Sequence, residues 1–285
     1  MSDRLYGEKS YWDERYSSGF NESNETDEWL LSFGDIEPIL QNLLMFGHHS
    51  RVLDVGCGNS KLLRDMRMSG HTGKLVGIDI SGINAAKEAC DGHDIIIMEA
   101  DGRTCYKHSI FEENSFDVIL DKSTIDAMLC DTKNGMRNIR EYANQVSYMC
   151  NPGGCFFVIS HNHPGTADCD NEDELDEKEA EAEAEEVMGE WLREIVKGLT
   201  SNGNSWNLDI HSSDPGCDDD ESKDQDQEAV PFPNIYVFTK ARRSTRRRRV
   251  KRKRKVDKNN IKDDYDDGSD NDEIGKLLNI NAHEH

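Results

Sequence analysis

Four acids stand at the ends of short apolar runs, and their spacing suggests a nucleoside site. The first is Asp54, inside Arg51-Val-Leu-Asp-Val-Gly-Cys-Gly-Asn-Ser60. A carboxylate buried at a strand's end is costly unless a partner offsets it, and a cationic amino-acid head group would do so. Gly56 and Gly58 follow, and Asn59-Ser60 could cap a helix from Lys61, so that bare backbone can approach a nucleotide-like ligand. The second acid, Asp79, ends Lys74-Leu-Val-Gly-Ile-Asp79 and is placed to take both ribose hydroxyls. The third, Asp101, follows Ile95–Met98 and could accept a hydrogen bond from an adenine amine, with Ile80 and Gly102 as further contacts to the nucleoside. An ordinary turn acid would look the same. The fourth, Asp121, closes Phe116-Asp-Val-Ile-Leu-Asp121.

A dinucleotide site would want a third glycine three residues after the second of the pair, for close helix–strand packing. Counted from Gly56, that position is Lys61. The pattern therefore favours S-adenosylmethionine as cofactor, and it resembles the class I methyltransferases.

The elements that must hold these residues alternate. Strands are predicted at Arg51–Gly56, Leu75–Asp79, Ile95–Met98, Phe116–Asp121 and Cys155–Ser160. Helices are predicted at Leu5–Tyr16, Ile36–Phe46, Lys61–Ser69, Asn84–Cys90, Met136–Cys150 and Trp191–Leu199. Such alternation implies an α/β, doubly wound parallel sheet with helices on both faces and ligands at the carboxyl ends of the strands. Trp206–His211 and Ile235–Thr239 would be the last two strands.

After the fourth strand comes Asp121-Lys-Ser-Thr-Ile-Asp126-Ala-Met, polar groups at a strand exit followed by an apolar turn. They could line an active site. They could equally be an Asp121–Lys122 surface pair, with Thr124 and Asp126 capping a helix. Taken with Tyr11-Trp12-Asp-Glu-Arg-Tyr16, Glu28-Trp29 and Leu53–Ser60, this segment resembles one eukaryotic group. These are the protein-lysine methyltransferases that act on elongation factor 1-alpha, relatives of the citrate synthase lysine methyltransferase. The group's usual pattern is Asp-Lys-Gly-Thr-Leu-Asp, and here Ser123 and Ile125 replace two of its residues.

The resemblance implies a Rossmann-like, seven-stranded class I methyltransferase sheet. It implies that Asp54, Gly56 and Gly58 hold the methionine part, Asp79 the ribose and Asp101 the adenine side. Trp12, Tyr16 and Trp29 would fold over the cofactor as a lid, although plain packing of an N-terminal helix would use the same aromatics. Asp121 would face both the cofactor's methyl group and the incoming amine. A lysine amine must be neutral to attack, against a reference pKa of about 10.4. An apolar, aromatic channel disfavours the ammonium, and a carboxylate can orient the amine. The sulfonium is already an activated methyl donor, so no metal is expected. His161 and His163 lack companion ligands at metal spacing and suit a substrate-facing loop.

Composition bounds the rest. The 285 residues carry a net charge of -23, unevenly spread. A methyltransferase domain is expected over residues 1–240, with acidic low-complexity insertions at about 168–190 and 212–229. The tail, 241–285, is basic and then acidic and is expected to be disordered. Its basic run, Arg242–Lys255, suits a nuclear localisation signal, a contact to nucleic acid, or pairing with the chain's own acids. The eight cysteines include no Cys-x-x-Cys pair, and no apolar run reaches the ~20 residues of a membrane helix. With neither a signal peptide nor a presequence visible, a cytoplasmic protein without membrane contact is expected, with nuclear entry open through the basic run. Three function classes remain: a lysine methyltransferase with a protein substrate, a methyltransferase for RNA or a small molecule, and an inactive cofactor-binding interaction protein.

Overall fold

A computed structural model describes residues 6–17, 29–42, 47–58, 61–108, 110–162, 164, 188–212, 233–242 and 278–284. Two helices come first, α1 (Lys9–Ser17) and α2 (Phe33–Asn42). Then β1 (Val52–Val55), α3 (Leu62–Met68), β2 (Leu75–Asp79), α4 (Ile83–Ala89) and β3 (Ile96–Glu99) alternate as the apolar periodicity requires. A 3₁₀ helix at Gly102–Lys107 leads to β4 (Phe116–Lys122), α5 (Thr124–Leu129), α6 (Gly135–Met149) and β5 (Cys150–Ser160). The remaining elements are α7 (Glu190–Thr200), β6 (Trp206–Ser212), β7 (Asn234–Lys240) and β8 (Leu278–Glu284).

The strands form one sheet in the order β3-β2-β1-β4-β5-β7-β6-β8. Pairings among β1–β5 are parallel, and β7 is antiparallel to both of its neighbours, β5 and β6. This is the Rossmann-like sheet of seven strands that the resemblance implies, made mixed by the antiparallel β7 and with one addition. β8 pairs in parallel with β6, in register from Trp206↔Leu278 to Ser212↔Glu284. Residues 278–284 of the expected disordered tail are therefore a strand. The insertions at 168–187 and 213–229 and the basic run beyond Arg242 lie outside the described residues.

Period-two alternation sends successive strand residues to opposite faces, and each face has its own core. Leu53, Val55, Ile119, Phe156 and Val158 pack with Tyr142 and Val146 of α6 and with Leu192, Ile195 and Leu199 of α7. Val52, Val118, Leu120, Phe157 and Ile159 pack with Phe33, Ile36 and Leu40 of α2 and with Leu62 and Met66 of α3. The sheet's outer strand, β3, is only half covered, with Ile96 40% exposed. Asn151–Gly154 sits inside β5 at a register break, where β4 pairs Phe116↔Cys150 and then Val118↔Cys155. Gly153 turns the bulge at φ +87.

Candidate active site

A cavity of about 310 Å³ opens at the carboxyl ends of β1, β2 and β4, within the size range of small-molecule sites. Trp12, Tyr16, Trp29, Asp54, Gly56, Gly58, Asp79, Ile80, Asp101 and Gly102, all expected from the sequence, line it. Asp121 does not.

The β1 and β2 exits are built largely from main chain. Gly56 and Gly58 take φ +73 and +51, conformations that favour glycine. A Cβ at Gly56 would stand 1.8 Å from Thr124 Oγ1, which itself donates to the Val55 carbonyl at 2.8 Å. Asp79 is the organiser: Oδ2 accepts the Gly58 N–H and Oδ1 the Ser81 N–H, both at 2.9 Å. Burial pushes its carboxyl above the ordinary range, and these amides pull the other way. Each oxygen keeps room for one more donor, as a vicinal diol would supply. Asp54 is 2% exposed at the cavity wall. Asn59 and Ser60, expected to cap α3, lie outside the described residues, and the Lys61 side chain makes no capping bond.

Helix α1 forms the opposite wall. Its Asp13 receives the Ser81 hydroxyl at 2.5 Å, and Lys9 reaches Glu99 at 3.4 Å, so both ends of the β2–β3 exit anchor it. Tyr16 lies over the glycines: a Cβ at Gly82 would meet its ring at 2.1 Å, and one at Gly58 its hydroxyl at 2.8 Å. Trp12 stacks on Tyr16 with centroids 5.8 Å apart and meets Trp29 edge-on at 6.1 Å. Tyr6 joins both tryptophans, and the Trp12 indole N–H donates to its carbonyl at 2.7 Å. These rings are half-buried, and Tyr6, Trp12, Tyr16 and Trp29 all face the cavity. Core packing and cavity lining are therefore one arrangement, not alternatives.

At the β3 exit, Asp101 accepts the Arg103 backbone N–H at 2.9 Å and receives its guanidinium on both oxygens, at 3.0 and 2.8 Å. Arg103 also reaches Asn138 Oδ1 at 2.9 Å. Arg103 and Asn138, both lining the cavity, carry no signal in the linear sequence, because α6 comes alongside only in three dimensions. Gly102 is required by packing, since a Cβ there would meet Val55 Cγ1 at 2.9 Å.

The β4 exit differs from the expectation. Strand alternation turns Asp121 toward α6 and Lys122 toward α2. Asp121 is 1% exposed, and its Oδ1 accepts the Thr124 and Ile125 N–H groups at 3.0 and 3.2 Å, closing the first turn of α5. Its Oδ2 neighbours the Tyr142 hydroxyl, beyond ordinary hydrogen-bond geometry. Burial pushes the carboxyl up to about 8, with the charge of Asp126 adding to the rise. Asp121 is thus a buried helix cap, largely protonated at neutral pH, rather than the carboxylate facing the ligand. Lys122 is no surface partner either, because it is 9% exposed and its Nζ donates to the Leu31 carbonyl at 3.2 Å.

Ser123 adopts φ +65, the left-handed region where glycine is favoured. One turn on, Asp126 reaches the cavity wall. Its Oδ1 accepts the Ser160 hydroxyl and the Asn162 amide, and its Oδ2 accepts the His161 N–H at 3.4 Å. His161 also lines the cavity, and His163 lies outside the described residues. The lining thus offers exposed amides, a carboxylate with room for a diol, buried anionic charge beside the β1 exit and an aromatic wall. Those features fit a nucleoside that carries a cationic head group.

Comparisons with known proteins agree with this geometry. A family model described as a methyltransferase domain matches residues 47–230. EEF1A lysine methyltransferase 4 of Mus musculus is 27% identical over 168 residues, 56% of this chain and 63% of that protein. Protein-lysine N-methyltransferase EFM4 of Saccharomyces cerevisiae is 28% identical over 182 residues, 57% of this chain and 78% of its own length. The mitochondrial citrate synthase-lysine N-methyltransferase of Pongo abelii is 25% identical over 58% of this chain and 74% of its own. Among solved structures, phosphoethanolamine N-methyltransferase 2 of Haemonchus contortus shares the fold, with a TM-score of 0.51 and 16% identity over 85% of this chain and 60% of that one.

Proposed function

From the premise that the chain belongs to the methyltransferase domain family, we propose that it transfers a methyl group from S-adenosylmethionine to a lysine amine of a protein. Elongation factor 1-alpha is the substrate that the names of its relatives suggest. The observation that carries this reading is a single cavity with a main-chain wall suited to the nucleoside and an aromatic wall suited to an alkyl amine. A cytosolic site of action goes with that substrate. Among the described residues, no helix is long and apolar enough to cross a membrane.

S-adenosylmethionine, when bound, supplies a methyl group on a sulfonium, already activated toward a nucleophile. The chain's own residues do the remainder. Asp79 would take the ribose hydroxyls, its carboxylate held in place by the Gly58 and Ser81 amides. Asp54 sits where it balances the positive head group, with Gly56 and Gly58 leaving space beside it. Asp101, held in a fork by Arg103, stands at the adenine side with Gly102 and Ile80. Trp12, Tyr16 and Trp29 exclude water and disfavour an ammonium relative to a neutral amine. Asp121 acts indirectly, setting the N-terminus of α5 and hence the cavity wall. Once an amine is aligned with the methyl group, positioning supplies up to ~7–11 kcal/mol in well-oriented systems.

The test is incubation of the purified chain with tritiated S-adenosylmethionine and recombinant elongation factor 1-alpha, followed by mass spectrometry. Label on a lysine of that protein is the expected outcome. Label only in RNA or small molecules of a cell extract would replace the substrate class. Cofactor binding by calorimetry with no label in any acceptor would favour an interaction protein.

A further inference from the structure

We propose that Asp126 is the carboxylate that receives the acceptor amine, held in aim by Ser160 and Asn162. This inference rests on the methyl-transfer reading above and deepens it by naming the group that recognises the acceptor.

Of the carboxylates lining the cavity, Asp79 is committed to the Gly58 and Ser81 amides and Asp101 to the Arg103 guanidinium. Asp54 lies within β1, on the side of the glycine turn. Asp121 is absent from the lining and serves the α5 N-terminus. Asp126 alone stands on the α5 side, and none of the described residues pairs it with a lysine or arginine. A carboxylate offers roughly four lone-pair sites. Three neutral donors occupy Asp126, the one on Oδ2 being long, at 3.4 Å. Neutral donors fix its direction without cancelling its charge. A cationic alkyl amine, or one N–H of the neutral amine, is the partner that this carboxylate lacks among the described residues.

The support behind Asp126 is rigid. Ser160 is fully buried at the end of β5, and its hydroxyl both donates to Asp126 and accepts the Asn162 N–H at 2.9 Å. The Asn162 carbonyl accepts the Tyr236 hydroxyl from β7 at 2.6 Å. Three elements therefore fix one carboxylate, as a reacting group needs. Tyr6 brings the aromatic wall to the same side: a Cβ at the adjacent Gly7 would stand 2.7 Å from the Asp131 amide nitrogen, just past α5.

In the transfer, the lysine ammonium first releases one proton to water at the cavity mouth. Asp126 then accepts a hydrogen bond from an N–H of the neutral amine, turning its lone pair toward the methyl carbon. The nitrogen–carbon bond forms as the carbon–sulfur bond breaks with its electron pair left on sulfur, and the product amine keeps the positive charge.

Asp126→Asn tests this directly, measured as methyl transfer to recombinant elongation factor 1-alpha and as cofactor binding by calorimetry. We expect kcat/KM to fall about 100-fold, as loss of orientation at the reacting atom can cost, with cofactor affinity within about twofold of wild type. Ser160→Ala keeps the carboxylate but loosens it, and should lower kcat about tenfold with little change in KM. It also stands in should Asp126→Asn fail to fold. An Asp126→Asn protein that transfers methyl at the wild-type rate, or that loses cofactor affinity in step with activity, would overturn the proposal. So would a Ser160→Ala protein with unchanged kcat. A wild-type protein that binds cofactor and labels no amine would overturn the functional reading itself, and is told apart by being inactive before any substitution.

Discussion

At the exits of β1 and β2 the cavity wall is mostly backbone: two glycines at positive φ, amides aimed by Asp79, and a tyrosine laid over them. At the exits of β4 and β5 it is mostly side chain: a capping acid beneath, a strained serine, and Asp126 braced by Ser160 and Asn162. Backbone donors cannot be changed by substitution except through glycine, so the first region suits an invariant ligand. Side chains can be exchanged one at a time, so the second suits the acceptor side of the proposed reaction. The two regions meet where Thr124 presses on Gly56.

The widest expected effect comes from Asp121→Asn and belongs to the side-chain region alone. The unfolded chain loses the Asp121 proton near pH 3.9, whereas the native carboxyl holds it to about 8. Between those values the unfolded state binds fewer protons, so the stability that the Asp121 carboxyl contributes is full below about pH 4 and is lost as pH rises through 8. The slope reaches about 1.4 kcal/mol per pH unit. Asn has no proton to lose, so urea unfolding of the variant should be flatter across that window, with cofactor affinity kept. An unchanged slope would show that Asp121 is not held protonated.

Gly56→Ala should break both regions at once. Positive φ and the collision with Thr124 Oγ1 together cost about 2–5 kcal/mol, and calorimetry should find cofactor binding lost. Gly56→Ala with intact binding would mean that the regions are not in contact. Asp79→Asn sharpens the division: removing charge from the ribose contact should weaken cofactor about 10–100-fold while leaving KM for the acceptor unchanged. A shift confined to acceptor KM would reverse the assignment of the two regions. The smallest effect is Ser123→Gly, which relieves the left-handed strain for a net gain of about 0.5 kcal/mol. A loss of stability in thermal melts would show instead that the serine side chain makes a needed contact.

Much of this was legible in the linear sequence for a local reason. Apolar runs ending in Gly56 and Asp79 announce strand exits, and the β1–β2 region is made of segments close in sequence. Ser123 is likewise read directly from the sequence, and its φ of +65 places it in the left-handed region that favours glycine. Asp121 stands away from the cavity lining because a strand-end acid can point toward the sheet's face as readily as out of its edge. Only α6, bringing Tyr142 against it, decides which. Arg103 with Asn138, and Asp126 with Ser160, join residues 34 or more positions apart, and no local pattern reports such pairs.

By itself the sequence determined the order of strands and helices, the glycine turn and the identity of the acids at the strand exits, because periodicity and backbone conformation are set by near neighbours. Tertiary structure alone decided which acid is buried and which lines the cavity, and that residues 278–284 extend the sheet beside β6. Burial and edge pairing depend on what other elements bring alongside, and those partners lie far away along the chain.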